Sequence, residues 1–318
     1  MADPFARTPR VSRPLAPGHA LFRCLFVPAL LGLSLVPWLF SPRPGQWALA
    51  STSRPGATAM VLLLSMLLIW LAEQLYPQNP GWNARLFSDP SGWRRLGRDA
   101  IYLFGVTQLT AYLLVATGPL LESAVALAHV RALWPAGAAF PVKVLLAFFL
   151  AEFFSYGFHR AAHRSRILWQ FHSTHHFLTE LNGLKSVRTH PVDNLLFYVC
   201  RTAPLLLAGA GAEELVAATF FGGVLGILAH ANLRVSDWGL GLLVNFPQVH
   251  AVHHSAKLAE SNCNFGCHTV LWDRVFRTYQ RAPVDLVLGV APVGPRSLWQ
   301  ELAWPFFRWV SPPRPPQP

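Results

Sequence analysis

Histidines are concentrated in the middle of this 318-residue chain, at spacings that suit metal binding. Ten of the thirteen lie between His159 and His254. They form one HxxxH motif at 159–163 and two HxxHH motifs, at 172–176 and 250–254. On a helix, residues three and four positions apart share a face. Each motif can therefore direct its imidazole nitrogens to one side, which predicts that the three motifs build a metal site.

The number of histidines indicates more than one metal ion. A structural zinc site takes four ligands and a catalytic zinc site takes three with water, whereas the three motifs alone supply eight imidazoles. The HExxH motif of zinc proteases is absent, because position 160 is arginine. Copper also suits imidazole ligands. Two neighbouring iron ions are favoured, because O2 activation is the chemistry that a lipid-facing site would need.

The composition excludes a simple water-soluble enzyme. Hydrophobic residues make up 53% of the chain and charged residues only 13%, against about 25% charged in soluble proteins. The net charge of +11 could suggest a nucleic-acid partner. Basic residues beside apolar segments are better interpreted as orientation signals and contacts with anionic lipid headgroups, so we expect no nucleic-acid partner. There is no CxxC motif, hence neither a disulfide framework nor a thiolate zinc ribbon is expected.

Six apolar stretches are candidates for membrane spans, each of which needs about 20 residues of helix. They cover residues 20–40, 57–72, 101–121, 142–158, 195–211 and 215–229. The first could also be a cleavable signal peptide. The last two are joined by Ala212, Glu213 and Glu214, which predicts a helical hairpin with its turn at these three residues.

The positions of the basic residues predict the orientation in the membrane. With the N-terminus inside and six crossings, 21 of the 26 lysines and arginines lie on the inner side. The fold class predicted is all-α, a polytopic membrane helical bundle with a histidine-rich helical metal cap at the cytoplasmic face. Arginine outnumbers lysine by 23 to 3, a bias associated with GC-rich bacteria, so we expect a multi-pass protein of a bacterial inner membrane.

Segments around the histidine motifs resemble the fatty acid hydroxylase and sterol desaturase superfamily of integral-membrane di-iron enzymes. They are His159-Arg160 with Leu168-Trp169-Gln170-Phe171-His172, Arg188-Thr189-His190-Pro191, His230-Ala231-Asn232, Asn264-Phe265-Gly266 and Leu271-Trp272-Asp273-Arg274. The similarity covers about residues 145–279. The chain departs from the pattern at Arg277, where relatives more often have glycine before Thr-Tyr. We expect three regions: an N-terminal transmembrane region at 1–140 with about three spans, a catalytic domain at 141–281 and a C-terminal tail at 282–318.

The resemblance implies which residues bind the metal. Nine histidines match ligand positions: His159, His163, His172, His175, His176, His230, His250, His253 and His254. His190 is a weaker candidate and could equally support a ligand or have a structural role. His268 lies outside the pattern. Glu152, two helical turns before His159 in an apolar stretch, is expected either to accept a hydrogen bond from a ligand N–H or to bond a neighbouring span.

The resemblance also implies the reaction, which is O2-dependent oxidation of an unactivated C–H bond of a lipid that enters from the bilayer. Its cofactor would be two iron ions, with O2 as co-substrate. Hydroxylation is favoured over desaturation, and a fatty acyl chain, a sterol or a related lipid remains open as substrate. GxGxxG and CxxCH are absent, so a separate electron donor is expected, such as a ferredoxin, a cytochrome b5-like protein or a reductase. The alternative is a histidine-rich metal transporter or a non-catalytic metal-binding membrane protein.

Overall fold

The computed structural model describes residues 17–39, 54–82, 90–107, 109, 123, 133–281, 286–290 and 297–307. Within this part of the chain the secondary structure is helical, with isolated bridges but no strands, so the all-α prediction is confirmed. The α-helices are α1 (Pro17–Leu39), α2 (Arg54–Leu75), α3 (Pro90–Ile101), α4 (Phe140–Arg164), α5 (Arg166–His176), α6 (Pro191–Ala208), α7 (Ala212–His230), α8 (Pro247–His253), α9 (Leu258–Ser261), α10 (Leu271–Val275) and α11 (Leu298–Phe307).

The central helix is α4, which packs against α5, α6 and α7. Ala147 and Ala151 of α4 meet Ala218 of α7 and Leu205 of α6 in one buried cluster. Small side chains at this contact let the helices approach closely while ridges of one helix fit grooves of the next. As a result α4 and α7 form a rigid pair, and both end at histidines of the predicted metal site.

A second cluster fixes α1 and α2 to the opposite side of α7. Val27 of α1 and Ile69 of α2 pack with Val224 and Leu228 of α7, all of them buried. Glu73, near the end of α2, adds polar contacts. Its Oε1 accepts hydrogen bonds from the backbone N–H of Gly183 at 2.8 Å and of Asn232 at 2.7 Å. These bonds tie α2 to the segment after the second histidine motif and to the segment after His230.

Two of the predicted spans correspond to helices that are long and apolar enough to cross a membrane. They are α4, with a mean hydropathy of 1.4, and α7, with 1.6. Shorter apolar helical segments lie at 20–34 and 60–75, within the first two predicted spans. Buried helices of soluble proteins can pass the same test, so two such helices are weak evidence on their own. The predicted span at 101–121 begins in a π-helical turn, Tyr102–Val106, and most of it lies outside the described residues.

Helices α6 and α7 are joined by a short connection, as the predicted hairpin requires, but the connection is earlier than expected. Helix α6 ends at Ala208 and is followed by Gly209, whose φ of 100° is in the left-handed region that favours glycine. The residues assigned to the turn are instead the first turn of α7. Acidic side chains are favourable at this position, because they face the positive end of the helix dipole. Glu214 also forms an ion pair with Lys143 of α4 at 2.7 Å.

Short breaks direct the histidine motifs towards each other. Ser165 is the one extended residue between α4 and α5, and its hydroxyl accepts a hydrogen bond from the Leu168 N–H at 3.3 Å. This cap starts a new helix and turns the second motif back beside the first. At the start of α6, Pro191 occupies the first turn and the His190 ring caps it by accepting from the Val192 N–H at 3.1 Å.

Arg277, which stands where the family pattern more often has glycine, has a strained backbone conformation. Arg277 has a φ of +58°, and a side chain with a Cβ is disfavoured by roughly 1–2 kcal/mol in the left-handed helical region. Glycine has no such penalty. The local conformation therefore gives a physical reason for glycine at this position in relatives.

We predict that Arg277→Gly stabilises the protein by about 1 kcal/mol, because glycine adopts this conformation without strain. The measurement is the thermal unfolding midpoint of the detergent-purified protein, which should rise. Arg277→Ala is the matched control, since it removes the same side chain but keeps the Cβ, and it should give no comparable gain. Equal midpoints for the two variants would contradict the explanation.

Candidate metal centre

The nine histidines predicted as ligands all come together in the interior. All are at most 7% exposed. Their ring nitrogens form two groups, and within each group one nitrogen per residue lies within 4.8 Å of all the others. The five-histidine group contains His159, His163, His172, His176 and His253, and the four-histidine group contains His175, His230, His250 and His254.

Each HxxHH motif contributes to both groups, so one helix serves two adjacent sites. In α5, His172 and His176 belong to the five-histidine group and His175 belongs to the four-histidine group. The third motif, on α8, has the reverse arrangement, in which its first and last histidines join the four-histidine group. Residues four apart on a helix lie one above the other, and the residue three along lies slightly to the side. The spacing is therefore suited to a pair of neighbouring sites.

Backbone carbonyls orient two rings of the five-histidine group. The Nδ1 atom of His159 is 2.6 Å from the Phe265 carbonyl oxygen, and Nδ1 of His253 is 2.7 Å from that of Cys263. A carbonyl oxygen only accepts, so each Nδ1 must carry the proton. Each Nε2 then has a free lone pair, and both Nε2 atoms are buried without a hydrogen-bond partner. A buried acceptor with no donor is expensive, whereas a metal ion would satisfy both.

The four-histidine group shows the same pattern. Nδ1 of His175 donates to the Arg188 carbonyl oxygen at 3.1 Å, and Nδ1 of His230 donates to that of Gly226 at 2.8 Å. The two Nε2 atoms are 3.1 Å apart. Neither carries a proton in the neutral ring, so two lone pairs face each other at this distance. A cation bound by both nitrogens removes this repulsion, and the geometry therefore fits a metal ion.

Protonation of the rings is an unfavourable alternative. Burial lowers the pKa of His172 and of His175 from 6.5 to about 3, because the charged form loses its hydration. The imidazoles are consequently neutral near pH 7, which is the form that binds metal. The donor set of each group consists of imidazole nitrogens, a set that suits iron, zinc, copper or nickel rather than magnesium or calcium.

Asp193 supports a ligand, a role that the sequence analysis missed. Its carboxylate lies 3.0 Å from Nδ1 of His172, and both side chains are at most 2% exposed. A carboxylate behind a metal-binding imidazole fixes the orientation of the ring and increases its basicity. The sequence analysis overlooked this carboxylate because Asp193 is also well placed, three residues after His190, as an ordinary acidic residue in the first turn of α6.

His190 and Glu152 lie outside both groups. The His190 ring caps α6 through Nδ1 and donates from Nε2 to the Leu302 carbonyl oxygen at 3.1 Å. We expected Glu152 to accept a hydrogen bond from a ligand histidine or to bond a neighbouring span, but its partners lie in a loop. Its carboxylate accepts from the ring of His268 at 2.5 Å and from the backbone N–H groups of His268 and Thr269, each at 3.0 Å. Glu152 therefore holds a loop that follows the third motif.

That loop, residues 263–269, supplies several of the acceptors that orient the histidines. Besides the carbonyls of Cys263 and Phe265, the Gly266 carbonyl accepts from the Asn245 amide at 2.7 Å, and the same amide nitrogen is 3.3 Å from Nδ1 of His250. Asp273 fixes the loop at its centre, where its two oxygens accept from the N–H of Phe265 and of Gly266 at 2.8 and 2.7 Å. Two buried carboxylates thus determine the path of the loop.

Gly266 is required by the close packing of this loop. A Cβ atom at this position would overlap the Thr269 carbonyl oxygen.

We predict that Gly266→Ala displaces the neighbouring Phe265 carbonyl and weakens metal binding about 10-fold. This is the lower end of the effect of losing a group that hydrogen-bonds a metal ligand. The measurement is the metal content of the purified protein after dialysis against a chelator. Gly157→Ala, where a Cβ meets nothing within 4 Å, is the control and should retain its metal.

Comparison with known proteins gives consistent matches. A family model described as fatty acid hydroxylase matches residues 144–278. Ornithine lipid hydroxylase OlsE of Rhizobium tropici is 30% identical over 257 residues, which are 78% of this chain and 75% of that protein. Alkylglycerol monooxygenase of Danio rerio is 30% identical over 159 residues, 48% of this chain. No solved structure gives a significant match.

Coverage differs among these relatives. The chain spans three quarters of the ornithine lipid hydroxylase but only 34% of the alkylglycerol monooxygenase. The very-long-chain aldehyde decarbonylase GL1-4 of Oryza sativa subsp. indica is 24% identical over 147 residues. This match covers 23% of the length of the decarbonylase. The match to the family model contains all nine converging histidines. By its similarity over most of the ornithine lipid hydroxylase, this chain belongs to the fatty acid hydroxylase family.

Proposed function

We propose that this protein is a membrane-bound di-iron oxygenase that hydroxylates an unactivated C–H bond of a lipid. The observation that carries the proposal is the pair of histidine groups, in which nine buried imidazoles bring ring nitrogens within 4.8 Å of one another in each group. Two bound iron ions would supply the O2 activation that oxidation of such a bond requires. One would be held by the five-histidine group and the other by the four-histidine group.

The chain contributes a neutral and water-poor environment. Each group consists of uncharged rings, and the nearest carboxylate behind them is that of Asp193. Trp169, which is fully buried, packs against the rings of His163 and His176 at centroid distances of 4.9 and 5.2 Å. Phe265 covers the other side of His163 at 5.2 Å. These aromatic walls keep water from the reactive centre, which protects it from side reactions.

The proposed substrate is an acyl chain of a membrane lipid. A relative of which the chain covers 75% is named an ornithine lipid hydroxylase, so an ornithine lipid is the first candidate. Ether lipids, by analogy with the alkylglycerol monooxygenases, and sterols are further candidates. The reaction consumes electrons, and we propose a separate ferredoxin, cytochrome b5-like protein or reductase as the donor.

The course of the helices supports a position of the metal centre at one face of a membrane. Helix α4 ends one residue after His163, α6 begins at Pro191 and places Asp193 beside His172, and α7 returns to end at His230. All three termini meet at the metal centre. The distribution of basic residues supports a cytoplasmic position of this face, and we propose a multi-pass protein of a bacterial inner membrane with its catalytic domain at 141–281.

Metal transport is less well supported by this arrangement. A transporter needs ligands spread along its spans to form a path, whereas all nine histidines are gathered into two adjoining groups. The rings are held by backbone carbonyls and by Asp193, which favours permanent binding over release. We therefore propose catalysis as the function of the bound metal.

We predict that His175→Ala abolishes product formation, because it removes one ligand of the four-histidine group. Lipids of a host expressing the wild-type chain should gain one oxygen atom, detected by mass spectrometry and labelled when the cells grow under heavy-isotope O2. Loss of two hydrogen atoms would instead identify a desaturase. His129→Ala, outside the three motifs, is the control. Unchanged product from His175→Ala, at equal amounts of protein in the membrane, would refute the proposal.

The proposed orientation predicts the accessibility of two exposed positions. In a chain whose native cysteines are replaced by alanine, Gly137→Cys should react with a membrane-impermeant maleimide added to intact spheroplasts. A Cβ at Gly137 meets nothing within 4 Å, so the substitution is tolerated. Lys257→Cys, on a side chain that is 66% exposed, should react only after the membrane is opened. The reverse pattern would place the histidines outside the cytoplasm.

A further inference from the structure

We propose that Glu301, on the C-terminal helix α11, is a positioning residue for the four-histidine group, acting through Arg188 on His175. The inference rests on the proposed function, in that the group is taken to bind metal. Helix α11 lies beyond residues 144–278, which the family model matches. The sequence predicts only a C-terminal tail at 282–318, with no part in the site.

Glu301 is a buried carboxylate on which three segments of the chain converge. It is 1% exposed. Its Oε2 accepts from the Tyr102 hydroxyl at 2.8 Å and from Nε of Arg188 at 3.3 Å, and its Oε1 accepts from Arg98 at 3.1 Å and from a second nitrogen of Arg188. The fork of Arg188 is thus engaged by both oxygens, a geometry that fixes direction as well as distance.

Arg188 connects this carboxylate to a ligand. Its side chain points to Glu301, and its own carbonyl oxygen accepts from Nδ1 of His175 at 3.1 Å. That bond keeps the proton on Nδ1 and leaves Nε2 of His175 free for metal. A displacement of the Arg188 backbone would therefore rotate the His175 ring or allow its proton to move from Nδ1 to Nε2. In either case the four-histidine group would lose a correctly placed, unprotonated nitrogen.

Helix α11 holds the same segment at a second point. The carbonyl oxygen of Leu302, the residue after Glu301, accepts from Nε2 of His190 at 3.1 Å. Aromatic contacts then align α11 with α5, since Phe306 packs on Phe171 with ring centroids 6.0 Å apart. The stretch 188–190 is consequently clamped between α11 and the helix that carries the second histidine motif.

The connection from Glu301 through Arg188 reaches a ligand of the four-histidine group, namely His175. His175 is the histidine whose Nδ1 acceptor is the Arg188 carbonyl, and it belongs to the four-histidine group. Acceptors of His159 and His253 in the five-histidine group come from the loop at 263–269, whose fixing carboxylates are Glu152 and Asp273. Removal of the Glu301 charge should therefore weaken one metal site and spare the other.

The test measures the metal affinity of each site separately, with Co2+ as the probe and its visible absorption as the signal of nitrogen ligation. His163→Ala, combined with His159→Ala and His253→Ala, leaves two imidazoles in the five-histidine group and disables it. His254→Ala, combined with His230→Ala, likewise disables the four-histidine group. These two sets are named below by His163→Ala and His254→Ala. In the His163→Ala background, Glu301→Gln should weaken Co2+ binding about 10-fold. In the His254→Ala background it should have no effect. Glu214→Gln, which disrupts the buried ion pair with Lys143 at the other end of α4, is the matched control and should leave both sites unchanged.

If Glu301→Gln weakens Co2+ binding equally in both backgrounds, or if Glu214→Gln weakens it as well, the effect is merely structural and the inference is overturned. Unchanged Co2+ affinity of Glu301→Gln in both backgrounds would also overturn it. If Glu301→Gln does not accumulate in folded form, Tyr102→Phe removes only one donor to Glu301 and should give a smaller loss confined to the four-histidine group. Unaltered binding by Tyr102→Phe in that case would also overturn the inference. Absence of Co2+ binding by the wild-type chain would instead contradict the proposed function itself.

Discussion

The structure depends on one constraint, which is that unprotonated imidazole nitrogens must face each other in a buried space. A neutral histidine has one proton, and it stays on Nδ1 only if an acceptor is there to receive it. Backbone carbonyls provide that acceptor for His159, His175, His230 and His253. Much of the surrounding architecture serves to bring these carbonyls to the right positions.

The acidic side chains near the metal centre follow from this constraint. Glu152, Asp273 and Glu301 are all buried, and they bond backbone N–H groups, arginines or, for Glu152, the ring of His268, but none of the nine converging histidines. Their charges thus fix the segments that carry the acceptors while the ligand sets stay neutral. Asp193 is the exception, because it contacts His172 directly. The ligand sets therefore add little negative charge, and the charge of a bound cation would dominate the electrostatics of the site.

The sequence predicted the part of the site that depends on local spacing. Periodicity on helices is enough to gather the histidines of each motif, and the resemblance joined the motifs and added His230. Contacts between distant residues left no such signal. Glu152 and His268 are 116 residues apart, and Arg188 and Glu301 are 113 apart. Neither pair lies in a repeated spacing, so the partners of Glu152 and the contribution of α11 could not be derived. The division of each HxxHH motif between two groups was likewise missed, because a helical face alone does not distinguish one site from two neighbouring sites.

The lengths of the two long helices give independent support to the proposed depth of the metal centre. An α-helix rises about 1.5 Å per residue. From Phe140 at the start of α4 to His159 the rise is therefore about 29 Å, and from Ala212 at the start of α7 to His230 it is about 27 Å. Both values are close to the thickness of the hydrocarbon core, about 30 Å. If the two helices start at one edge of the core, their histidines lie together at the opposite edge. A lipid held in the bilayer would then present the part of its acyl chain nearest the headgroup to the metal, whereas electrons could be delivered from the aqueous side without crossing the membrane.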